Sequence, residues 1–246
     1  MRRFAICMPV VAMLVSSSFH SPRAERVFHV SLTDSVSKKP FVSSVPASPL
    51  DTFSIPDSAL IVLLEGCTDT FIVPSKQSGP TISCGVDLNA LGTDNVHDIF
   101  VGLVPKSTLA SIIHASKYKG NHARRWANAT RIKLSDTVQH AVFRRALALI
   151  WHSVHGEELQ TCSPAVQAAL LSYAYHTGHL PEDRRKLANM SSTEIAYLLK
   201  RRGLSYRGSC KKSFRRRRLL EATFIEHYSS LDAMAVRNVT ISLPPS

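Results

Sequence analysis

The architecture is set by residues 59–88, which read ALIVLLEGCTDTFIVPSKQSGPTISCGVDL. An apolar run ends at Glu65 and is followed at once by a glycine, which predicts a short helix with a glycine stop. Two segments rich in β-branched and aromatic residues, 71–73 and 81–82, flank a turn that contains Pro and Gly, which predicts a β-hairpin. A further glycine then leads into Asp87. The stretch therefore combines a carboxylate at the end of an apolar helix with another in a Gly-containing turn.

Two carboxylates in unlike environments are typical of enzymes that cleave glycosidic bonds. One acid is kept protonated and gives its proton to the leaving oxygen, while the other stays ionised. Glu65 ends an apolar run, so partial desolvation favours its protonated form; polar contacts in the turn would keep Asp87 charged. The pair indicates acid–base hydrolysis, a reaction that needs no cofactor and no metal.

Helical patterns dominate the rest of the chain. Apolar residues recur at helical spacing, or follow a cap signature, in four segments: residues 105–116, 135–154, 165–176 and 213–229. Ser191 and Glu194 form a capping box that predicts a further helix, ending before Gly203. The fold class is therefore predicted as α+β, with a small β-hairpin element followed by a mostly helical domain.

The N-terminus has the composition of an export signal. Two arginines precede twelve apolar residues, and a bilayer-spanning helix needs about 20. We predict a signal peptide at residues 1–24, a Ser/Pro-rich linker at 25–55 and one folded domain at 56–246. A short N-terminal anchor or a chance apolar segment is the alternative to a signal. The prediction is a secreted or periplasmic protein without stable membrane insertion once the signal is removed.

The chain is strongly basic, with a net charge of +12 and a pI near 9.8. An anionic partner is expected, and nucleic acid, an acidic membrane surface and the bacterial cell wall all qualify. The run of four arginines at 215–218 must point around most of a helix, and aromatic residues for base stacking are sparse. We therefore expect an anionic glycan polymer as partner, and no nucleic acid.

Four cysteines lie outside the predicted signal: Cys67, Cys84, Cys162 and Cys210. Their spacing matches no common zinc pattern. Since two of them flank the hairpin segment, we favour the pairs Cys67–Cys84 and Cys162–Cys210. Closing a loop of the first size stabilises a fold by roughly 3 kcal/mol. Free buried thiols are the alternative.

Four segments together resemble the phage-type lysozyme superfamily, and most closely its pesticin-like muramidase branch. The central match is LLEG at 63–66 followed by SGPTISCGVDL at 78–88, which is similar to a family segment of the form SGVTIGxGxDLG. QAALLSYAYHTG at 167–178 resembles the family's central helix, QaALvSlaYNxG. RRRRLLEATF at 215–224 resembles its closing RRxxEAxLF helix. The resemblance covers roughly residues 56–228.

The resemblance implies a lysozyme-like fold and a role for each matching residue. Glu65 would be the general acid, Asp87 the base or electrostatic partner, and Thr81 the group that orients the attacking water. Substrate contacts would come from three further residues: Ser83, Tyr175 and His176. The implied activity is that of an antimicrobial muramidase, which hydrolyses the β-1,4 bond between N-acetylmuramic acid and N-acetylglucosamine in peptidoglycan strands. An immunity or inhibitor protein is a further expected partner.

The segment departs from the family pattern at Ser83 and Cys84, where a glycine and an aromatic or small residue are usual. If Ser83 cannot adopt a glycine-type backbone angle, the turn shifts and Asp87 moves with it. Two alternatives therefore stay open. One is a lytic transglycosylase-like enzyme that uses Glu65 alone; the other is a non-catalytic cell-wall-binding module of the same fold.

Overall fold

The computed structural model describes residues 28–31, 48–208, 210–228 and 238–241. Its ten helices are α1 (Ala59–Glu65), α2 (Leu88–Leu91), α3 (Thr93–Phe100), α4 (Lys106–Ala115), α5 (Gly120–Thr130), α6 (Asp136–Ser153), α7 (Pro164–Thr177), α8 (Arg184–Ala188), α9 (Ser192–Ser205) and α10 (Lys211–Tyr228). Its five strands are β1 (Phe28–Ser31), β2 (Thr68–Ile72), β3 (Thr81–Ser83), β4 (Val86–Asp87) and β5 (Asn238–Ile241). Within these ranges the protein is α+β, mostly helical with a small antiparallel sheet.

The predicted hairpin is confirmed and extended by a third strand. β2, β3 and β4 form an antiparallel sheet in that order, in which Thr81 lies opposite Ile72 on one side and opposite Asp87 on the other. The β3–β4 connection is a tight turn with Gly85 at φ 91°, a conformation that favours glycine. A separate antiparallel pair joins β1 to β5.

Helix α7 lies at the centre of the core. Its residues are buried on every face from Ala165 to His176 apart from the partly buried Gln167, as expected of a helix surrounded by other elements. α1, α6 and α10 all pack against it. Ser163 caps its first turn and Gly178 ends it at φ 76°, as the sequence predicts.

The capping box of α9 is present, but the predicted end of this helix is wrong. α9 continues through Gly203 to Ser205. A Cβ at position 203 would lie 2.9 Å from Cβ of Arg218 and 3.4 Å from Cα of Arg215. The glycine therefore allows α9 and α10 to cross closely, and it does not stop the helix.

Part of the predicted linker is folded. Pro49–Thr52 form a 3-10 helix capped by Ser48, and Leu50 is buried in the main core. Asp51 accepts hydrogen bonds of 2.8 and 2.7 Å from the buried guanidinium of Arg145, which fixes this segment to α6. The predicted signal at 1–24, like most of the remaining linker, lies outside the described residues.

Two substantial helices, α3 and α5, were absent from the sequence prediction. α5 is amphipathic mainly through its charged and polar residues and carries few apolar ones, so a search for recurring apolar residues does not identify it. It is held by Trp126, whose ring packs edge-on against Phe71 of β2 at 5.0 Å. A tertiary contact with the sheet thus stabilises α5, and the local sequence does not reveal this contact.

One of the two predicted disulfides is present. Cys67 and Cys84 are bonded and join the start of β2 to the β3–β4 turn. The predicted Cys162–Cys210 pair is wrong, because the Cys162 thiol lies 4.0 Å from the carbonyl oxygen of Leu187 and forms no disulfide. Burial raises the pKa of the Cys162 thiol. None of the described helices has both the length and the apolar character needed to cross a bilayer.

Candidate functional site

Glu65 is the last residue of α1 and lies between α10 and the β3–β4 turn. Gly66 follows it at φ 65° and ends the helix. One carboxylate oxygen, Oε1, accepts a hydrogen bond from Nη1 of Arg217. The other, Oε2, faces Gly85, where an added Cβ would lie only 3.4 Å away. The side chain is 19% exposed, so this carboxylate is largely shielded from water.

Arg217 is held by a buried network. Its Nε donates to Oε1 of Glu221 at 3.3 Å, and its Nη2 donates to the carbonyl and hydroxyl oxygens of Ser172 at 3.3 and 3.2 Å. The Ser172 hydroxyl and Nη2 of Arg218 also donate to the same Glu221 oxygen, at 2.7 and 2.8 Å. These contacts leave Nη1 of Arg217 aimed at Glu65. Residues of α7 and α10 therefore position the partner of the candidate acid.

The cluster is costly to bury. Burial raises the pKa of Glu221, an effect that the charges of Arg218 and Arg217 oppose. Burial also lowers the pKa of Arg218 to about 10, although Glu221 opposes this shift. Ion pairs away from water repay their desolvation only when every partner stays in place. The network should thus be sensitive to the loss of any one member.

Asp87 occupies a different environment from the one predicted. It caps α2, and its carboxylate accepts hydrogen bonds from the backbone N–H groups of Gly79 (3.0 Å), Asn89 (2.9 Å) and Ala90 (3.2 Å). Only 6% of the residue is exposed, and burial raises its pKa against the opposing effect of those N–H groups. The polar contacts expected around Asp87 are therefore present, but the residue is more deeply buried than Glu65, and burial outweighs those contacts in its effect on the pKa of Asp87. The lack of a side chain at Gly79 lets the two segments approach, since a Cβ there would lie 2.7 Å from Oδ1 of Asp87.

Thr81 and Ser83 are buried in β3 and bonded to main-chain oxygens. The Thr81 hydroxyl donates to the carbonyl of Gly79 at 3.2 Å. The Ser83 hydroxyl donates to the carbonyl of Gln139 at 3.1 Å, which ties the sheet to α6. Ser83 takes φ 54°, so it does adopt the left-handed angle that a glycine would otherwise supply. Both side chains support the turn in this structure.

Tyr175 connects the two acids to α7. Its buried hydroxyl donates to the carbonyl of Cys84 at 2.8 Å. Burial raises the pKa of Tyr175 well above its usual range, and the negative charges of Glu65 and Asp87 add to the rise. A Cβ at Gly85 would lie 3.4 Å from Oε2 of Glu65 and 3.5 Å from the Tyr175 hydroxyl, and Asp87 follows that glycine by two residues in β4. The structure brings Glu65, Asp87 and Tyr175 together around the β3–β4 turn.

His176 lies apart from that turn, among Arg217, Arg218 and Phe214. Its ring is 5.6 Å from the Phe214 ring, and neither ring nitrogen has a hydrogen-bond partner among the described residues. Burial, reinforced by the charges of the two arginines, lowers its pKa to about 3. His176 is thus a neutral core histidine in this structure.

The buried His176 should make stability depend on pH. Its pKa falls from 6.5 to about 3 on folding, so its stabilising contribution is complete above pH 6.5 and is lost as the pH falls toward 3. Between pH 7.5 and pH 4.5 it should cost the wild type about 2–3 kcal/mol of unfolding free energy relative to His176→Asn. Urea unfolding at both pH values measures this difference, and the other titrating groups are common to both proteins. An unchanged difference would show that folding does not lower the pKa of His176.

The sequence analysis missed three members of the site: Ser172, Arg217 and Glu221. A signal existed in α10, where Arg217, Arg218 and Glu221 share the helical stripe of the buried Phe214 and Ile225. Charged residues at core positions indicate a buried network. No group of three or more possible metal ligands occurs within the described ranges.

A groove of about 560 Å³ lies between α8 and α9. Its lining includes five charged or aromatic residues: Glu182, Lys186, Glu194, Tyr197 and Arg201. These elements differ from those around Glu65, so the groove is not part of the site described above.

No protein family model and no curated protein matches this chain. The family resemblance therefore depends on the motif residues themselves and on where the fold places them.

Proposed function

We propose that this protein is an exported muramidase of lysozyme-like fold, which hydrolyses the β-1,4 glycosidic bond of peptidoglycan with Glu65 as general acid. The supporting observation is that the separate motif segments meet at one carboxylate. Oε1 of Glu65 contacts Arg217 from the closing motif, and Oε2 faces Gly85 of the central motif. Tyr175, from the third motif, bonds to the residue beside that glycine. Segments more than 150 residues apart thus contribute to one site.

The contacts suggest that the two carboxylate oxygens of Glu65 have different roles. Arg217 holds Oε1, which leaves Oε2 to give a proton to the glycosidic oxygen on the glycine side. The carboxyl must carry that proton when the glycan is bound. Once the proton has left and the glycosidic bond has broken, Arg217 stabilises the carboxylate that forms. Water then adds to the sugar, and the Glu65 carboxylate takes the proton that this water loses.

Asp87 would act in this proposal through its position near the site. Its carboxylate joins Gly79 to the start of α2 and so holds the turn that carries Gly85. A negative charge there would stabilise the positive charge that develops on the sugar. Thr81, bonded to the Gly79 carbonyl, would orient water only after a change of its hydroxyl rotamer.

The burial of Asp87 favours a second candidate, a lytic transglycosylase-like reaction in which Glu65 acts alone. Glu65 would first protonate the leaving oxygen and then, as a carboxylate, accept the proton of the sugar's own 6-hydroxyl as that oxygen attacks. The product would be a 1,6-anhydro sugar, and no water would be consumed. The Asp87 carboxylate already accepts hydrogen bonds from three backbone N–H groups, so it is poorly placed to activate water.

Digestion of purified peptidoglycan tests the proposal. We expect the wild-type protein to release soluble muropeptides, with reducing N-acetylmuramic acid ends in the mass spectrum. Ends lighter by one water would show the 1,6-anhydro product and select the second candidate. A folded protein that releases no fragments would overturn both enzymatic proposals and leave a wall-binding module.

A further inference from the structure

The outer faces of α9 and α10 carry exposed apolar side chains. Six large hydrophobic residues are exposed in the described part of the chain, and three of them lie on these two helices. Tyr197 and Leu204 of α9 are 66% and 49% exposed, and Leu219 of α10 is 37% exposed. Tyr197, Arg201 and Leu204 are spaced four and three residues apart, so they form one stripe along α9.

The same faces carry a dense set of cations. Seven exposed lysines and arginines lie on these helices or between them: Arg201, Arg202, Arg207, Lys211, Lys212, Arg215 and Arg216. None of them forms a salt bridge with any residue in the described ranges. No acidic residue occurs from Ile195 to Leu220, although two acids from outside that range, Glu182 and Glu194, line the groove that Tyr197 and Arg201 also border. The arginine run divides by burial, because residues 217 and 218 point into the core and residues 215 and 216 point outward.

The helix crossing joins the two stripes into one surface. Gly203, the residue before Leu204, lies against the backbone of Arg215 where the two helices cross. On α10 the exposed residues recur at helical spacing from Lys212 through Arg215 to Leu219. We call this surface the basic–apolar face; its members are Tyr197, Arg201, Leu204, Lys212, Arg215, Arg216 and Leu219.

We propose that the basic–apolar face binds the surface of a membrane rich in anionic phospholipid. Unpaired cations are complementary to the negative headgroups, and their attraction accumulates with each Lys or Arg. Leucine and tyrosine side chains between those cations enter the boundary between headgroups and acyl chains. Such binding is peripheral, so it does not require a membrane-spanning helix. It is also independent of any reaction at Glu65.

The exposed leucines favour a lipid surface over a phosphate polymer. A nucleic acid backbone attracts cations but gives Leu204 and Leu219 no apolar environment. Base stacking would need exposed aromatic rings, and Tyr197 is the one exposed aromatic residue within this face. The mixture of charge and apolar surface therefore matches lipid better.

Co-sedimentation with vesicles tests the proposal on the full chain. The vesicles contain either phosphatidylglycerol with phosphatidylcholine or phosphatidylcholine alone. We expect the wild type to bind the anionic vesicles at low salt and to bind the neutral ones far more weakly. A triple variant, Arg201→Gln, Arg215→Gln and Arg216→Gln, should lower the partition coefficient on the order of 100-fold.

A charge-matched variant controls for net charge. Lys106, Lys117 and Arg124 are exposed cations on or near α4 and α5, where no large hydrophobic residue is exposed among the described ones. Their triple replacement by Gln removes the same charge and should lower binding less than tenfold. All variants keep the same N-terminal segment, so its contribution cancels. Melting temperatures equal to that of the wild type verify that each variant is folded.

The double variant Leu204→Ser and Leu219→Ser isolates the apolar part. We expect it to lower binding roughly tenfold with the charge unchanged. Equal losses in the two triple variants would overturn the proposal, since binding would then follow net charge alone. Unchanged binding by the leucine variant would overturn the lipid assignment. So would binding to duplex DNA that is tighter than to anionic vesicles and indifferent to the leucines.

Discussion

Glu65→Gln should lower the rate of muropeptide release by about three orders of magnitude. Glutamine keeps the shape of the side chain and can still accept a hydrogen bond from Arg217, but it cannot give a proton to the glycosidic oxygen. A positioned general acid typically contributes 10²–10⁴-fold to a rate, and the expected loss of about 10³-fold is the midpoint of that range. The measurement is the initial rate of release from purified peptidoglycan at equal concentrations of folded protein.

Two further variants separate the chemistry from the structure of the site. Glu226→Gln removes an exposed carboxylate that pairs with Lys200, and it should leave the rate unchanged. Glu65→Asp keeps the acid but draws it back by one methylene, which should cost on the order of 100-fold. If Glu65→Gln digests peptidoglycan as fast as the wild type, Glu65 has no part in the reaction.

Glu221→Gln should destabilise the fold by about 3–5 kcal/mol. The variant leaves Arg217 and Arg218 buried without the carboxylate that lies between them, and breaking a buried pair on one side costs about this much. Urea unfolding at neutral pH measures the change. Because Arg217 would also lose one of its anchors, the same variant should digest peptidoglycan more slowly than its folded fraction alone explains.

The matched control is again Glu226→Gln on the same helix. Its ion pair with Lys200 is partly exposed, so its loss should cost less than about 1 kcal/mol. A second comparison replaces Arg218 by Met and Glu221 by Leu together. This double change removes both charges and should cost less than Glu221→Gln alone. Equal unfolding free energies for Glu221→Gln and Glu226→Gln would mean that the buried network does not stabilise the fold.

Local signals predicted most of the elements that surround the site. The end of α1 at Glu65, the hairpin and the starts of α6, α7 and α9 each follow from caps, glycine stops and short-range periodicity. Gly203 shows the limit of such signals. The residue could equally stop a helix or admit a neighbouring one, and the contact with Arg218 decides between them.

The environment of each candidate acid did not follow from its neighbours in sequence. Asp87 follows a glycine turn, a context that is often solvated, yet three backbone N–H groups enclose it because Gly79 lets two segments approach. The partner of Glu65 lies in the last described helix, 152 residues away. Interactions at such separations have no local pattern from which they could be read.

The amino-acid sequence by itself indicated the fold class and the helix–hairpin unit at 59–88, because caps, glycine stops and periodicity depend on residues that lie close along the chain. It favoured two cysteine pairs, and the structure contains Cys67–Cys84 alone among the described residues. Only the tertiary structure decided which charges are buried and which are exposed. The four arginines at 215–218 carry identical side chains; the packing of α10 against α7 and α9 directs two of them into the core and two toward solvent. Burial is a property of the whole packed chain, and it is burial that determines what each charge can do.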